Sequence, residues 1–348
     1  MNQIKEYKKN KRKSIITGIV LFITGVVLMV FFTGQGAMDI DFVSTQRILT
    51  GKMLNLIEII SIYKDNEIAV VWDIRLPRII CGTFVGGGLA MAGAMFQSLL
   101  RNPLADPYTL GVSTGAAFGA SLALLLNIMF ALYLPVTIFA FVFAFITLLL
   151  VIFVASRGGG IYSTNLIISG IIIGSVLSAG ISFIKMTAGE NVAAIVFWLM
   201  GSLASKTWVD VYIIVPVVII GGLIAYYFAD DLNIMTAGES NAKTLGVNTR
   251  RIRLIYLITG SVITAACVSV SGIIGFVGLV IPHLLRYWLT SDNRMLIPLC
   301  MTLGGIILLL ADNVTRLMFV SEVPVGVLTT LIGGPFFIYV FITREGSN

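Results

Sequence analysis

Ten runs of about 20 apolar residues dominate this sequence, at 14–33, 76–99, 108–127, 133–155, 164–184, 208–228, 252–271, 274–290, 295–318 and 324–343. About 20 such residues are what an α-helix needs to cross a bilayer, and inside lipid only helices and closed barrels satisfy their own backbone. Of the 348 residues, 57% are hydrophobic and 11% charged, against about 25% charged in a soluble domain. One aqueous core cannot hide that much apolar surface. The sequence therefore reads as an all-α polytopic membrane protein, one domain over 1–348 with about ten transmembrane helices. The first run is longer than a secretory h-region and lacks a small-x-small cleavage site, so it is expected to remain as a span. A shorter apolar piece, Asn191–Trp208, cannot span and is expected to lie across the outer surface or re-enter.

Charge placement orients the spans. The net charge of +6 is not arranged for nucleic acid. Lys5, Lys8, Lys9, Lys11, Arg12 and Lys13 form a basic tail over 1–13, and Arg101, Arg157, Lys243, Arg250, Arg251, Arg253, Arg294 and Arg344 fall on the same side when the spans alternate. An excess of Lys and Arg marks the cytoplasmic side, so both termini are expected there and the loop over 34–74 outside. A faint repeat accompanies this topology: Gly93 to Pro103 has the spacing of Gly272 to Pro282, in spans of opposite direction. An inverted internal repeat is a common way to build transporters.

Small residues recur every fourth position at Gly82, Gly86, Ala90 and Ala94, at Gly111, Gly115, Gly119 and Ala123, and at Gly170, Gly174, Ser178 and Ser182. Such stripes let helix backbones approach closely in lipid. Charges within the spans are nearly absent; Asp312 and Arg316 stand four apart and could pair on one helix face. No buried carboxylate chain suggests a proton-driven pump, and no Gly-x4-Gly-Lys-Ser/Thr loop is present, since "SRGGGIYST" lacks the lysine. His283 stands without nearby metal-ligating neighbours and reads as a packing residue. Cys81, Cys267 and Cys300 lie in apolar runs and read as small buried hydrophobes, so neither a metal nor a catalytic site is expected. A polar stretch, Asp230–Arg253, contains a short helical pattern from Ala237 to Leu245 ended by Gly246, a natural residue just past a helix end. A small helix at that place suits docking on a partner better than plain connection.

The stretches "RLPR", "GAMFQSLLRNPLADPYTLGVSTGA", "AKTLGVNTRRIR", "GIIGFVGLVIPHLLR" and "VPVGVLTTLIGGPFFIYV" together resemble the FecCD family, the permease subunits of type II ABC importers for ferric siderophores, haem and cobalamin. The resemblance covers Arg75 to Thr343 in order; the first span and Thr33–Trp72 match poorly. It implies the ABC type II importer permease fold, a second permease copy (identical or pseudo-symmetric) and two ATPase subunits that carry the ATP and Mg. It also implies an extracytoplasmic substrate-binding protein, in a bacterial cell membrane. Carried onto this chain, Arg75, Arg78 and Arg316 become docking residues for the binding protein. Asn102, Leu104, Thr164 and Asn165 become the cytoplasmic gate. Gly238, Glu239, Ala242, Leu245 and Gly246, within 230–250, become the coupling contacts with the ATPases. Asn191–Ser205 matches an extra helix beside the outer vestibule. The chain itself binds no cofactor under this reading. A ferric siderophore is the expected substrate, with haem and then cobalamin behind it; an ion-coupled secondary transporter is the alternative from another class.

Overall fold

A computed structural model describes residues 2–36, 38–319 and 323–345, and every regular element among them is helical. In chain order these are α1 (Asn2–Thr33), α2 (Phe42–Met53), α3 (Ile57–Ile60), α4 (Asp65–Ala69), α5 (Leu76–Leu100), α6 (Val112–Phe130), α7 (Val136–Arg157) and α8 (Ser163–Ala188). They continue with α9 (Ala193–Leu199), α10 (Trp208–Tyr227), α11 (Ala229–Thr236), α12 (Glu239–Thr244), α13 (Thr249–Ser271), α14 (Val277–Trp288), α15 (Asn293–Met318) and α16 (Val325–Glu345). Eight helices are long and apolar enough to cross a membrane. Helix α16 adds a shorter apolar stretch, Val325–Ile338, and α14 has 12 residues.

Side-chain contacts fix the directions. Arg78 meets Asp312 at one end of α5 while Ser98 meets Asn293 at the other, so α5 and α15 are antiparallel. Gly88 faces Cys267 and Gly260 faces Phe96, which makes α5 and α13 antiparallel too. Gly18 and Gly25 of α1 lie against Leu299 and Ile306, so α1 and α15 run together. The bundle thus has a terminal face, where α1 begins and α16 ends, and a cap face beyond the start of α5.

Helix α5 is the hub, packed by α15, α13, α14 and α10, and nearly all its residues are buried. Its small stripe works as expected: Gly86 meets the Gly304 carbonyl, Gly82 faces Leu203, and Ala90 packs on Gly304. The stripe at Gly115 and Gly119 seats α6 against Thr147, Phe143 and Phe139 of α7. The three cysteines are free and buried.

Three expectations need correction, and the segment 34–74, whose structure the sequence left open, takes shape: α2, α3 and α4 enclose a small core of Ile40, Ile48, Leu49, Ile68 and Val71 with Trp72 against it. Helix α4 runs through a wide turn at Val70–Arg75, where the Leu76 N–H reaches the Val71 carbonyl, directly into α5. The run at 274–290 yields a helix of only 12 residues, about 18 Å of rise, too short for a bilayer of about 30 Å. The preceding Gly272–Phe276 is not helical. The matched Gly–Pro spacings also fall on unlike places. Gly93 is inside α5 and Pro103 beyond its end, whereas Gly272 caps α13 and Pro282 lies inside α14. That spacing marks no structural repeat. Finally, the Ser178 and Ser182 end of the third small stripe packs against nothing; both residues are exposed.

Non-helical backbone at membrane depth must be satisfied by protein, and three such stretches satisfy one another. Ser202 N donates to the Ser271 carbonyl (2.8 Å), and Gly326 N to the Gly201 carbonyl (3.1 Å). Gly201 and Gly272 adopt φ of +70° and +71°, and a Cβ on either would strike the backbone carbonyl of Ile273 or Trp198. Asn191–Trp208 is thus a re-entrant piece: a short helix, α9, followed by a stretch that plugs into the gap left by the short α14.

Candidate functional site

A transport path needs movable ends, and the polar residues of this chain concentrate at both ends of α5. At the cap face, Arg78 makes two parallel bonds to Asp312, Nε to Oδ2 and Nη2 to Oδ1, each 2.9 Å, with the residues 8% and 2% exposed. Burying two charges is tolerable only when they face each other with good geometry. Arg75, 3% exposed, donates to the Thr33 (3.3 Å), Gly34 (3.2 Å) and Met38 (2.5 Å) carbonyls. It closes the C-terminal end of α1, whose last carbonyls have no helical partner. Arg316, half-buried, donates to the Phe32 carbonyl (3.0 Å) and to Asn313 Oδ1.

These positions correct one expectation. Asp312 pairs across helices with Arg78 rather than along α15 with Arg316, because the guanidinium of Arg316 turns to the end of α1. Arg75 and Arg78 are buried in the single chain and bond to groups within it. The exposed cations of this face are Arg47, Lys52 and Lys64, on and around α2 to α4.

At the terminal face, the Leu100–Val112 connection folds back into the bundle. Arg101 turns the chain in a left-handed conformation, Asn102 Oδ1 accepts the Leu104 N–H (2.9 Å), and Asp106 Oδ1 accepts the Tyr108 N–H (3.1 Å). Such Asx turns replace helical bonds locally. The Tyr108 hydroxyl donates to the Ile274 carbonyl (2.6 Å) and accepts the Ile274 N–H (3.2 Å), so this loop clasps the unwound start of α14. Leu110 packs on Gly170 of α8, about one and a half turns beyond Thr164 and Asn165. Asn165 Nδ2 donates to the Gly158 and Gly160 carbonyls (3.0 Å each) and shapes the α7–α8 turn, while Thr164 and Leu104 are exposed. The four expected gate residues share this face, but among the described residues no hydrogen bond joins Asn102 or Leu104 to Thr164 or Asn165.

Gly238, Glu239, Ala242, Leu245 and Gly246 lie on and around α12. Ala242 is buried and anchors α12; Gly246, at φ +84°, ends it; Leu245, 69% exposed, is presented outward. Glu239 accepts from Arg253 Nη2 (2.8 Å), and Arg253 Nη1 donates to the Ile161 carbonyl (2.8 Å). The α12 segment is thereby latched to α13 and to the α7–α8 turn. Burial alone would raise the Glu239 pKa, but the hydrogen bond and charge of Arg253, with Lys243 nearby, hold it below the usual range.

A further network escaped the sequence reading. Arg286 Nη2 donates to Ser98 Oγ (2.6 Å), Ser98 Oγ donates to Asn293 Oδ1 (2.6 Å), and Asn293 Nδ2 donates to Asn233 Oδ1 (2.8 Å). Asn233 Nδ2 in turn donates to Asp292 Oδ1 (2.7 Å). The chain of bonds links α14, α5, α15 and α11. Its members are unremarkable singly; Asp292-Asn293 opening a helix was the one available signal, and it reads as an ordinary N-cap.

Residues 20–343 match the FecCD transport family. The chain is 41% identical to the cobalamin import system permease protein BtuC of Halobacterium salinarum over 79% of this chain and 74% of that one. It is 35% identical to the Fe(3+) dicitrate transport system permease protein FecC of Escherichia coli over 80% and 84%. A solved metal-chelate type ABC transporter in an inward-facing conformation superposes with a TM-score of 0.79 at 31% identity, over 94% of this chain and 99% of that one.

Proposed function

The chain belongs to the FecCD transport family, and on that premise we propose that it is the permease subunit of an ATP-driven importer that carries a ferric siderophore inward by alternating access. The observation that carries the reading is α8. Its Ser175, Ser178 and Ser182 are exposed in the single chain, on a helix otherwise apolar enough to span. Ser175 Oγ donates to the Ile171 carbonyl (2.8 Å) and Ser182 Oγ to the Ser178 carbonyl (3.1 Å), so what these residues offer is a small-residue face of the kind that favours contact with another helix. A second permease copy facing α8 would enclose a path between the two chains.

In this mechanism the terminal face is cytoplasmic. Two ATPase subunits hold ATP and Mg and press on α12 through Leu245 and Gly246. Motion passes through the Glu239–Arg253–Ile161 latch to the α7–α8 turn beside Thr164 and Asn165, and through Asn233 and Asn293 to α5 and α14. The loop carrying Asn102 and Leu104 then changes its grip on α8. A loaded binding protein lands on the cap face, where Arg47, Lys52, Lys64 and the rim of Arg316 offer the positive charge; Arg75 and Arg78 hold that face rigid from within. Such surface pairs give salt-sensitive, reversible docking.

The 41% identity to a cobalamin permease favours a second reading, cobalamin as cargo. Uptake of radiolabelled iron supplied as ferric siderophores, ferric citrate and haem, alongside labelled cobalamin, in cells with and without the gene, separates the two. Loss of a siderophore alone, restored by the gene, supports the first reading; loss of cobalamin alone replaces it with the second. Uptake that survives removal of the partner ATPases would overturn both in favour of an ion-coupled transporter.

A further inference from the structure

A groove of about 720 Å³ opens on the outside of the bundle between the end of α10 and the start of α13. Its wall is apolar, formed by Ile224, Phe228, Leu254 and Ile258, and its mouth at the terminal face carries Arg250 and Arg251. Ile224 and Ile258 are 37% and 44% exposed, so the wall faces the surroundings of the bundle rather than its core. Both arginines are exposed, and among the described residues neither guanidinium has an ionic or hydrogen-bonded partner. The contrast with their neighbour is sharp: Arg253, one turn on, is consumed by Glu239 and the Ile161 carbonyl. The backbone is settled as well, since Asn248 caps α13 by accepting the Arg251 N–H at 3.1 Å. The unspent feature is the pair of guanidinium groups.

We propose that this groove is a binding site for one anionic phospholipid, its phosphate held by Arg250 and Arg251 and an acyl chain lying along Ile224, Leu254 and Ile258. Two observations select this occupant. The charge is complementary to a phosphate and lies at the level where headgroups sit, with a guanidinium well suited to phosphate oxygens. From Asn248 to Thr259 the lining also climbs about 16 Å along α13, a depth that a soluble partner at the face cannot reach and a hydrocarbon chain can. An apolar groove beside two arginines matches the two-part chemistry of such a lipid. The inference rests on the membrane reading above but not on the identity of the cargo.

The position gives the lipid a consequence. The groove is formed by the two helices that flank α11 and α12, whose connection from Phe228 to Asn248 carries the proposed ATPase contacts. A lipid bridging α10 and α13 would steady that segment against the membrane face.

The test is native mass spectrometry of the permease in a neutral detergent, titrated with phosphatidylglycerol, with phosphatidylcholine of the same acyl chains, and with glycerol 3-phosphate as a headgroup without chains. Wild type should retain phosphatidylglycerol at least tenfold more strongly than phosphatidylcholine and should not retain glycerol 3-phosphate. Arg250→Gln with Arg251→Gln should remove that preference, as the loss of two phosphate-binding cations implies. Ile258→Trp, which fills the channel with both arginines intact, should weaken phosphatidylglycerol by a similar factor. Arg157→Gln, an exposed arginine of the same face, should change nothing. The proposal is overturned if the double variant keeps the preference, if Arg157→Gln abolishes it equally, if phosphatidylcholine binds as well, or if glycerol 3-phosphate alone is retained. Lipid retention is read without transport, so its failure is distinguishable from a wrong assignment of cargo or energy source.

Discussion

Helices α5 and α8 look alike as text: each is a long apolar run with a four-residue stripe of small side chains. In the folded chain they are opposites, with 83% of the apolar window of Asp65–Leu100 buried against 22% of that of Ser163–Leu199. In α5 the stripe is filled by Gly304 of α15 and, at Gly82, by Leu203. In α8 Gly170 and Gly174 meet the backbone around Gly111, and the serines beyond them are exposed. Small residues thus serve two ends: in α5 they are buried in a hub, and in α8 the serines lie exposed beside Ile171, Val176 and Phe183 in the single chain.

The largest effect that could break this contrast lies in α5. Gly93 packs directly on the Gly278 carbonyl, so Gly93→Leu should cost more than about 3 kcal/mol, because backbone cannot step aside as a side chain does. Size-exclusion profiles after heating should show little folded protein; a normal melting profile would refute the hub. Next comes Asp312→Asn, which leaves Arg78 charged and buried. It should cost about 3–5 kcal/mol, most of it recovered when Arg78→Met and Asp312→Leu are combined, as read from thermal melts in detergent. If the single variant melts like wild type, the pair does not hold the cap end of α5.

On α8 the expectation is reversed. Ser178→Ala should change stability by no more than about 0.5 kcal/mol, as for an exposed site. Ser178→Cys in the isolated chain should react with a water-soluble maleimide while Cys81, Cys267 and Cys300 stay unlabelled, and joining the second copy should slow that reaction. Equal labelling of all four would erase the distinction between the helices. The smallest effect concerns the α12 latch. Glu239 has its pKa lowered, so the stabilisation is complete at neutral pH and is lost only as pH falls through that lowered value, below the usual glutamate range. It is worth about 0.2–1 kcal/mol, since Glu239 keeps 30% of its side chain exposed and solvent screens the pair. A spin label on Leu245→Cys should gain mobility only there; a gain already between pH 7 and 6 would show that something other than Glu239 holds α12.

Much of the α12 segment was legible because its signals are local. Glycines at both ends, an apolar anchor at Ala242 and a polar surround lie within nine residues, and turn chemistry acts over that distance. The partner of Arg78 was not legible, since it lies 234 residues away and a nearer arginine, Arg316, competes for Asp312 on paper. The Ser98–Asn293–Asn233 links were equally hidden: each residue is common at helix ends, and only their convergence makes a network. The run at 274–290 misled for a related reason, because hydropathy measures length in residues and says nothing of whether they are wound.

By itself the sequence determined that the chain crosses a bilayer, about how many times, and where polar connections interrupt the crossings. Those are properties of solvent transfer and chain length, summed over each segment independently. Tertiary structure alone decided which small-residue stripe would be filled, which arginine would be neutralised, and which helix would be shortened to admit a re-entrant stretch. Each of those outcomes depends on groups brought together from distant segments, where one carboxylate can satisfy one guanidinium and one groove can seat one helix.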